Sequence, residues 1–213
     1  MTLLNEVYNY IENKYKPNEP IFLAELDIPG MKPVSVRQQM TKLTEDGRLK
    51  RFDAGIYYIP KKSMFRSGST LSVDEVIRKK YLQDGVNRCG YVGGILFANQ
   101  LGLTTQVPTL YEVYTNKATT EYRETRLANL RVILRKPYCE IDAKNAETLQ
   151  FLDLIKEVVD ISEVDGEDLT KRLLGYMKKK NIGFESMKPF LPYYPDRIYK
   201  NMYEVGLLNG VSA

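Results

Sequence analysis

Ser35-Val36-Arg37-Gln38-Gln39-Met40-Thr41-Lys42-Leu43, then Arg48-Leu49-Lys50-Arg51-Phe52-Asp53-Ala54-Gly55-Ile56-Tyr57-Tyr58-Ile59-Pro60, is the stretch on which the fold turns. In its first part Val36, Met40 and Leu43 recur at i, i+4 and i+7, one narrow apolar stripe on a helix. Ser35 followed three residues later by Gln38 is a capping-box pattern and predicts Ser35 as the N-cap. Gly47 supplies the C-terminal stop. The second part alternates at period two, turns through Asp53-Ala54-Gly55 and returns as Ile56 to Ile59, closed by Pro60. That is a β-hairpin with a glycine-containing turn.

Upstream, Leu3, Leu4, Val7, Tyr8, Ile11 and Tyr15 follow helical spacing, predicting an amphipathic helix that ends before Pro17. Pro20-Ile21-Phe22 reads as extended, and Leu23 to Leu26 allows one helical turn before Pro29-Gly30 breaks it. Helix, short helix, helix and hairpin in that order predict a winged helix-turn-helix over residues 1–62.

The charge is uneven along the chain. Its net formal value of +4 over 213 residues is too small to indicate a polyanionic partner. Residues 1–31 carry two basic and five acidic side chains, net −3, whereas residues 32–66 carry nine basic and three acidic, net +6. The excess falls on the third helix and the hairpin, the elements that would meet phosphates in a complex with double-stranded DNA. Gln38, Thr41 and Lys42 lie opposite the apolar stripe, with Arg37 on the flank. Gln pairs with adenine edges, Arg with guanine, and Lys with phosphate. The candidate DNA contacts are therefore Ser35, Arg37, Gln38, Thr41 and Lys42 on the helix, and Lys50, Arg51 and Lys61 on the wing. Two plainer readings stand beside these: Ser35 and Gln38 as capping residues only, and Lys61 with Lys62 as a solvated strand end.

Composition removes several chemistries. The chain has no histidine, so histidine acid–base chemistry, Ser-His and Cys-His pairs and histidine metal ligands are absent. Cys89 and Cys139 are the two cysteines and neither sits in a C-x-x-C, which reads as free thiols. No apolar run approaches the ~20 residues of a membrane span. The opening Met-Thr-Leu-Leu-Asn-Glu lacks the pattern of a signal peptide. The expectation is a soluble cytoplasmic chain without metal, cofactor, membrane partner or catalysis.

Ser63 to Ser69 reads as a linker, and residues 70–213 as a mixed α/β domain with a small sheet and C-terminal helices, making the whole chain α+β. Ser72 predicts a helix N-cap. Ile95 to Leu101 reads as a largely buried helix capped by Gly102, Leu110–Thr115 and Leu130–Arg135 as strands, and the polar segment between them as a hairpin with a third strand. Helices continue over 146–159 (Leu149, Leu152, Ile155 and Val159 on one side), 169–180 and from Pro195 onward. Tyr193, Tyr194, Tyr199 and Tyr203 read as residues packed at a core edge. Lys178 to Lys180 read as a helix C-terminus favoured by its dipole.

Gly94-Ile95-Leu96-Phe97-Ala98-Asn99-Gln100-Leu101-Gly102-Leu103-Thr104-Thr105-Gln106-Val107-Pro108 resembles a segment of the AbiEi-type antitoxins of abortive-infection, type IV toxin–antitoxin systems. The hairpin, Arg48-Leu49-Lys50-Arg51 through Gly55-Ile56-Tyr57-Tyr58, is also similar to that family's wing. The resemblance covers most of the first 135 residues. It implies a DNA-binding antitoxin that represses its own operon at promoter DNA and counteracts a nucleotidyltransferase-type toxin. It carries no catalytic motif, and on this chain it points only to the third helix and wing already named. The Gln106-Val107-Pro108 turn reads first as a helix-to-strand connection.

Two rival readings remain. One is a winged-helix regulator whose second domain binds a ligand or dimerises. The other is a restriction-type nuclease, which needs a carboxylate and an acid-x-Lys pair on adjacent strands; Glu112 and Asp142-Ala143-Lys144 are the nearest match.

Overall fold

A computed structural model describes residues 2–61 and 69–208 of this α+β chain, which divides into two compact units, Met1–Lys79 and Lys80–Ala213. Residues 62–68 and 209–213 lie outside the described residues, and with them all of the sequence-read linker except Ser69, as well as Lys62 and Arg66.

In the first unit, α1 (Leu3–Lys14) buries Val7 and Ile11 and leads to β1 (Ile21–Phe22). The expected short helix is a single 3-10 turn, Leu23–Glu25, because Pro29-Gly30 leaves no room for a full one. Next come α2 (Pro33–Glu45), β2 (Lys50–Asp53) and β3 (Ile56–Tyr58). The three strands form an antiparallel sheet in the order β1-β3-β2, with Ile21 opposite Tyr57 and Arg51 opposite Tyr57 on the other side. The register shifts between Arg51 and Asp53, a bulge that twists the strand just before the turn. Gly55 closes that turn at φ +72°, where an L side chain would be strained, and its carbonyl accepts the Leu23 N–H at 2.9 Å.

The core joins Val7, Ile11 and Tyr15 of the first helical segment to Val36, Met40 and Leu43 of α2 and to Leu49, Tyr57 and Ile59. Each such aliphatic side chain contributes about 1.5–3 kcal/mol by leaving water. Ser72 caps α3 (Val73–Ile77), its hydroxyl accepting the Asp74 N–H at 3.2 Å. Lys79 reaches Glu19 and the Pro20 carbonyl, both at 2.8 Å, so residues 69–79 belong to the first unit.

One expectation is corrected here. Ser35 is not the N-cap of α2. The helix starts two residues earlier, with extended Lys32 as N-cap and Pro33 at the first helical position. Proline has no N–H to leave orphaned there and its φ is already helical, so it starts the helix and Ser35 becomes a half-buried residue of the first turn.

In the second unit a π-turn (Arg78–Leu82), which begins in the first unit, precedes a small hairpin of β4 (Gln83–Asp84) and β5 (Asn87–Arg88). The main sheet is built from β6 (Gly90–Gly93), β7 (Leu110–Thr115), β8 (Tyr122–Leu127) and β9 (Leu130–Arg135), in the order β6-β7-β9-β8. β7 and β9 are parallel and the other pairs antiparallel, because the β8–β9 hairpin folds back to insert β9 beside β7. β6 was hidden by its glycines. A Cβ at Gly90 would come within 2.7 Å of the Tyr114 and Tyr81 carbonyl oxygens, so a strand packed this closely takes no side chain there.

α4 (Gly94–Gln100) comes directly after β6 and buries Phe97 and Ala98, but Ile95 is exposed, so this helix is buried on one side only. α5 (Ala146–Ile161) is the opposite case, buried almost all round, with Phe151, Leu154 and Val158 enclosed as well as Leu149, Leu152 and Ile155. The expected Val159 is instead exposed. α6 (Gly166–Lys180), α7 (Phe184–Met187) and α8 (Arg197–Glu204) follow and share one core with α4 and α5. Among the described residues no helix is long and apolar enough to cross a membrane.

Candidate nucleic-acid interface

The 3.6-residue period of α2 sorts its side chains into two faces. Val36, Gln39, Met40 and Leu43 are buried. Val34, Gln38, Thr41 and Glu45 stand at i, i+4, i+7 and i+11, a single exposed line, with exposed Arg37 and Lys42 on either side of it. The Thr41 hydroxyl donates to the Arg37 carbonyl at 3.2 Å and keeps its lone pairs for an incoming donor. The side chains of Arg37, Gln38 and Lys42 have no hydrogen-bond or ion-pair partner among the described residues.

Several other basic side chains of this unit are already engaged. Arg48 donates to Asp46 (2.7 and 2.9 Å) and to Asn5 (3.0 Å), and its guanidinium lies 5.1 Å from the Tyr8 ring centre. Asp46 and Arg48 therefore hold each other in their charged forms, the carboxyl shifted down by the hydrogen bond from Arg48 and the guanidinium shifted up by Asp46. Lys14 sits near the rings of Tyr10 and Tyr15, and Arg78 pairs with Glu75. The Arg48–Asp46 pair neutralises itself, so it leaves the net excess of residues 32–66 unchanged and only takes Arg48 out of the side chains free to meet phosphate.

On the hairpin, Lys50 is half-buried opposite Tyr58. Arg51 is exposed and folds back so that its Nε donates to the Asp53 carbonyl at 3.2 Å, placing it over the turn. Lys61 lies beyond the other end of β3, where its N–H donates to Ser69 at 2.7 Å beside Asn18. The fold therefore gathers Arg37, Gln38, Thr41 and Lys42 on one face, sets Lys50 and Arg51 on β2, and separates Lys61 from the turn. Val34, 68% exposed, was missed. With Ser35 read as the cap, Val34 fell outside the helix.

The second unit holds a buried polar cluster that periodicity did not reveal. Asp153 on α5 is 3% exposed and accepts from Tyr91 Oη at 2.5 Å, Tyr194 Oη at 3.5 Å and Lys156 Nζ at 3.2 Å. Lys156 also meets Glu157 (3.3 Å) and Tyr114 Oη (3.4 Å), and its ammonium lies 5.2 Å from the Tyr138 ring centre. Burial pushes the Asp153 carboxyl up to about 6, against the pull of Lys156 and the Tyr91 hydrogen bond. Burial pulls Lys156 down, but Asp153 and Glu157 outweigh it and the ammonium ends higher than usual. Burial, then the Asp153 charge, raises the Tyr91, Tyr114 and Tyr194 phenols, which stay protonated donors. Of the C-terminal tyrosines only Tyr194 is buried; Tyr193, Tyr199 and Tyr203 are exposed rather than packed at a core edge.

The turn within the Gly94–Pro108 segment is pinned by side-chain hydrogen bonds. Asn99 Nδ2 donates to the Thr104 and Gln106 carbonyls, each at 3.1 Å, and the Thr105 N–H and hydroxyl donate to Glu163 at 2.7 and 2.8 Å. The turn connects α4 to β7 and leaves Val107 85% exposed. Of the nuclease-like residues, Glu112 pairs with Arg135, and Asp142 Oδ1 accepts the N–H groups of Lys144 (2.7 Å) and Asn145 (2.8 Å), so each is occupied locally. Among the described residues no group of three or more cysteines and carboxylates is arranged to hold a metal ion. Cys89 is buried and Cys139 half-buried, both free. Of the three lysines ending α6, Lys180 bonds Glu147 at 2.5 Å while Lys178 and Lys179 are exposed.

No protein family's sequence profile matches the chain, and no curated protein is detectably similar to it.

Proposed function

We propose that the first unit is a winged helix-turn-helix that binds double-stranded DNA, with α2 in the major groove and the β2–β3 hairpin as the wing. The observation that carries this reading is the outward face of α2. Its Arg37, Gln38 and Lys42 donors have no partner among the described residues, whereas Arg48 is held by Asp46 and Asn5. Arg37 and Gln38 read base edges, Val34 and Thr41 offer apolar and hydroxyl contacts, and Lys42, Lys50 and Arg51 neutralise phosphates. Lys61 is a weaker candidate, because it sits at the far end of the hairpin from the turn.

On the resemblance of residues 94–108 and of the wing to AbiEi-type antitoxins, we further propose that the chain represses its own operon and neutralises a nucleotidyltransferase-type toxin made from the adjacent gene. The test is growth. The adjacent gene is expressed alone, with the full chain, and with a full chain carrying Arg37→Ala and Lys42→Ala. Toxicity relieved equally by both forms, with promoter repression lost only in the variant, supports the antitoxin reading and separates its two tasks. An adjacent product that is harmless, or toxicity that the full chain leaves unrelieved, overturns it and leaves a DNA-binding regulator.

A further inference from the structure

β8 is an edge strand with an open outer side. It is paired through all six residues with β9, without a bulge, and no other strand among the described residues lies beyond it. The Lys136 N–H donates to the Glu121 carbonyl, so Tyr122 and Arg135 form a non-hydrogen-bonded pair. The bonded pairs are then Arg123–Leu134, Thr125–Val132 and Leu127–Leu130, and the backbone groups of Tyr122, Glu124 and Arg126 point away from the sheet. The Tyr122 carbonyl accepts the Thr120 hydroxyl at 3.1 Å; those of Glu124 and Arg126 have no partner among the described residues.

The side chains along this edge carry a second signal. Arg126 lies directly opposite Arg131, a like-charge pair. Arg131 turns instead to Glu124, with bonds of 2.8 and 3.1 Å, and Arg126 keeps no ion-pair partner among the described residues. Edge strands are commonly protected by charge, proline or a bulge. β8 has no proline and no bulge, and its charges alternate in sign around Thr125.

We propose that β8 pairs antiparallel with the β8 of a second copy of this chain, in the register centred on Thr125, so that the two four-stranded sheets become one continuous sheet. In that register Glu124 faces the partner subunit's Arg126, and Arg126 faces the partner subunit's Glu124. Thr125 faces the partner subunit's Thr125, a favourable cross-strand pair. The outward backbone groups of Glu124 and Arg126 then form the bonded pairs of the new ladder. Centring the pairing on Glu124 instead would set carboxylate against carboxylate. The dimer rests on the sheet edge alone and stands whether or not the first unit binds DNA.

Sedimentation equilibrium of the full chain over a range of concentrations tests it. The wild type should show a monomer–dimer equilibrium. Glu124→Arg and Arg126→Glu, each replacing two attractions by two repulsions, should each raise the dissociation constant by about tenfold or more. The double exchange, Glu124→Arg with Arg126→Glu, should restore it. Glu124→Pro removes an outward N–H, spares the inward ladder to β9 and should give a monomer. A wild type that stays monomeric at every concentration, single reversals or a proline variant that dimerise like the wild type, or a double exchange that fails to recover would overturn the proposal.

Discussion

Replacing Asp153 by Ala removes the acceptor for Tyr91 and Lys156 at once, while Tyr194 keeps the Leu149 carbonyl at 3.3 Å. Lys156 is left as a largely buried ammonium whose remaining charged partner is Glu157 at 3.3 Å, with the Tyr114 hydroxyl at 3.4 Å, and the Tyr91 phenol, 1% exposed, loses its partner. Breaking a buried ion pair from one side costs about 3–5 kcal/mol. In a unit of this size each kcal/mol lowers Tm by roughly 3 °C, so thermal denaturation should show a fall on the order of 10 °C. Removing both charges together, as Asp153→Leu with Lys156→Met, should cost much less than Asp153→Ala, since no orphan charge remains. The same carboxyl sets a pH signature. Its native pKa of about 6 stands above the ordinary 3.8, so the native state binds this proton more tightly than the unfolded chain. The resulting stabilisation is fully present below pH 3.8 and lost as pH rises through 6, about 3 kcal/mol in all. Asp153→Asn should lack that slope. A wild-type-minus-Asn difference that stays flat from pH 4 to 7, or an Asp153→Ala loss below about 1 kcal/mol, would refute this account of the cluster.

In the first unit, Leu43→Ala, at a fully buried position of α2, should cost about 2–5 kcal/mol in denaturant titration. Arg37→Ala or Gln38→Ala should cost about 1–3 kcal/mol at one base pair and relax sequence preference there, read by competition among single-substituted duplexes. Lys50→Ala with Arg51→Ala should weaken binding to all duplexes alike and flatten the salt dependence by about 0.9 per lost phosphate contact. Arg48→Ala, whose guanidinium is held by Asp46 and Asn5, should leave affinity and salt slope unchanged; a flatter slope would return Arg48 to the interface.

The order of elements in the first unit was legible because its helices are amphipathic and its hairpin alternates, and both patterns are local. The start of α2 was not, because Lys32-Pro33 and Ser35-x-x-Gln38 are both start signals, and only the fold chooses between them. The commitment of Arg48 was equally hidden, since its partner Asn5 and the Tyr8 ring come from the far side of the unit's sequence. In the second unit, Asp153 and Lys156 stand three apart on a helix, which in sequence is the mark of a solvated face. They are buried because β6 and the Tyr194 segment close over them, contacts separated by 62 and 41 residues. β6 carries no strand signal in sequence, because its two glycines interrupt any alternation, and the carbonyls that crowd Gly90 come from elsewhere in the chain.

The central claim is that α2 and the hairpin grip duplex DNA. Its most direct test is a fluorescence-anisotropy titration of the full chain against duplex DNA from its own promoter between 50 and 200 mM salt. With Lys42, Lys50 and Arg51 on phosphates, the logarithm of the affinity should fall against the logarithm of salt with a slope of about −2.7 or steeper. Arg37→Ala with Gln38→Ala should weaken the preference for the promoter over unrelated duplex. No binding at 50 mM salt, or binding that is indifferent both to salt and to these substitutions, would contradict the account.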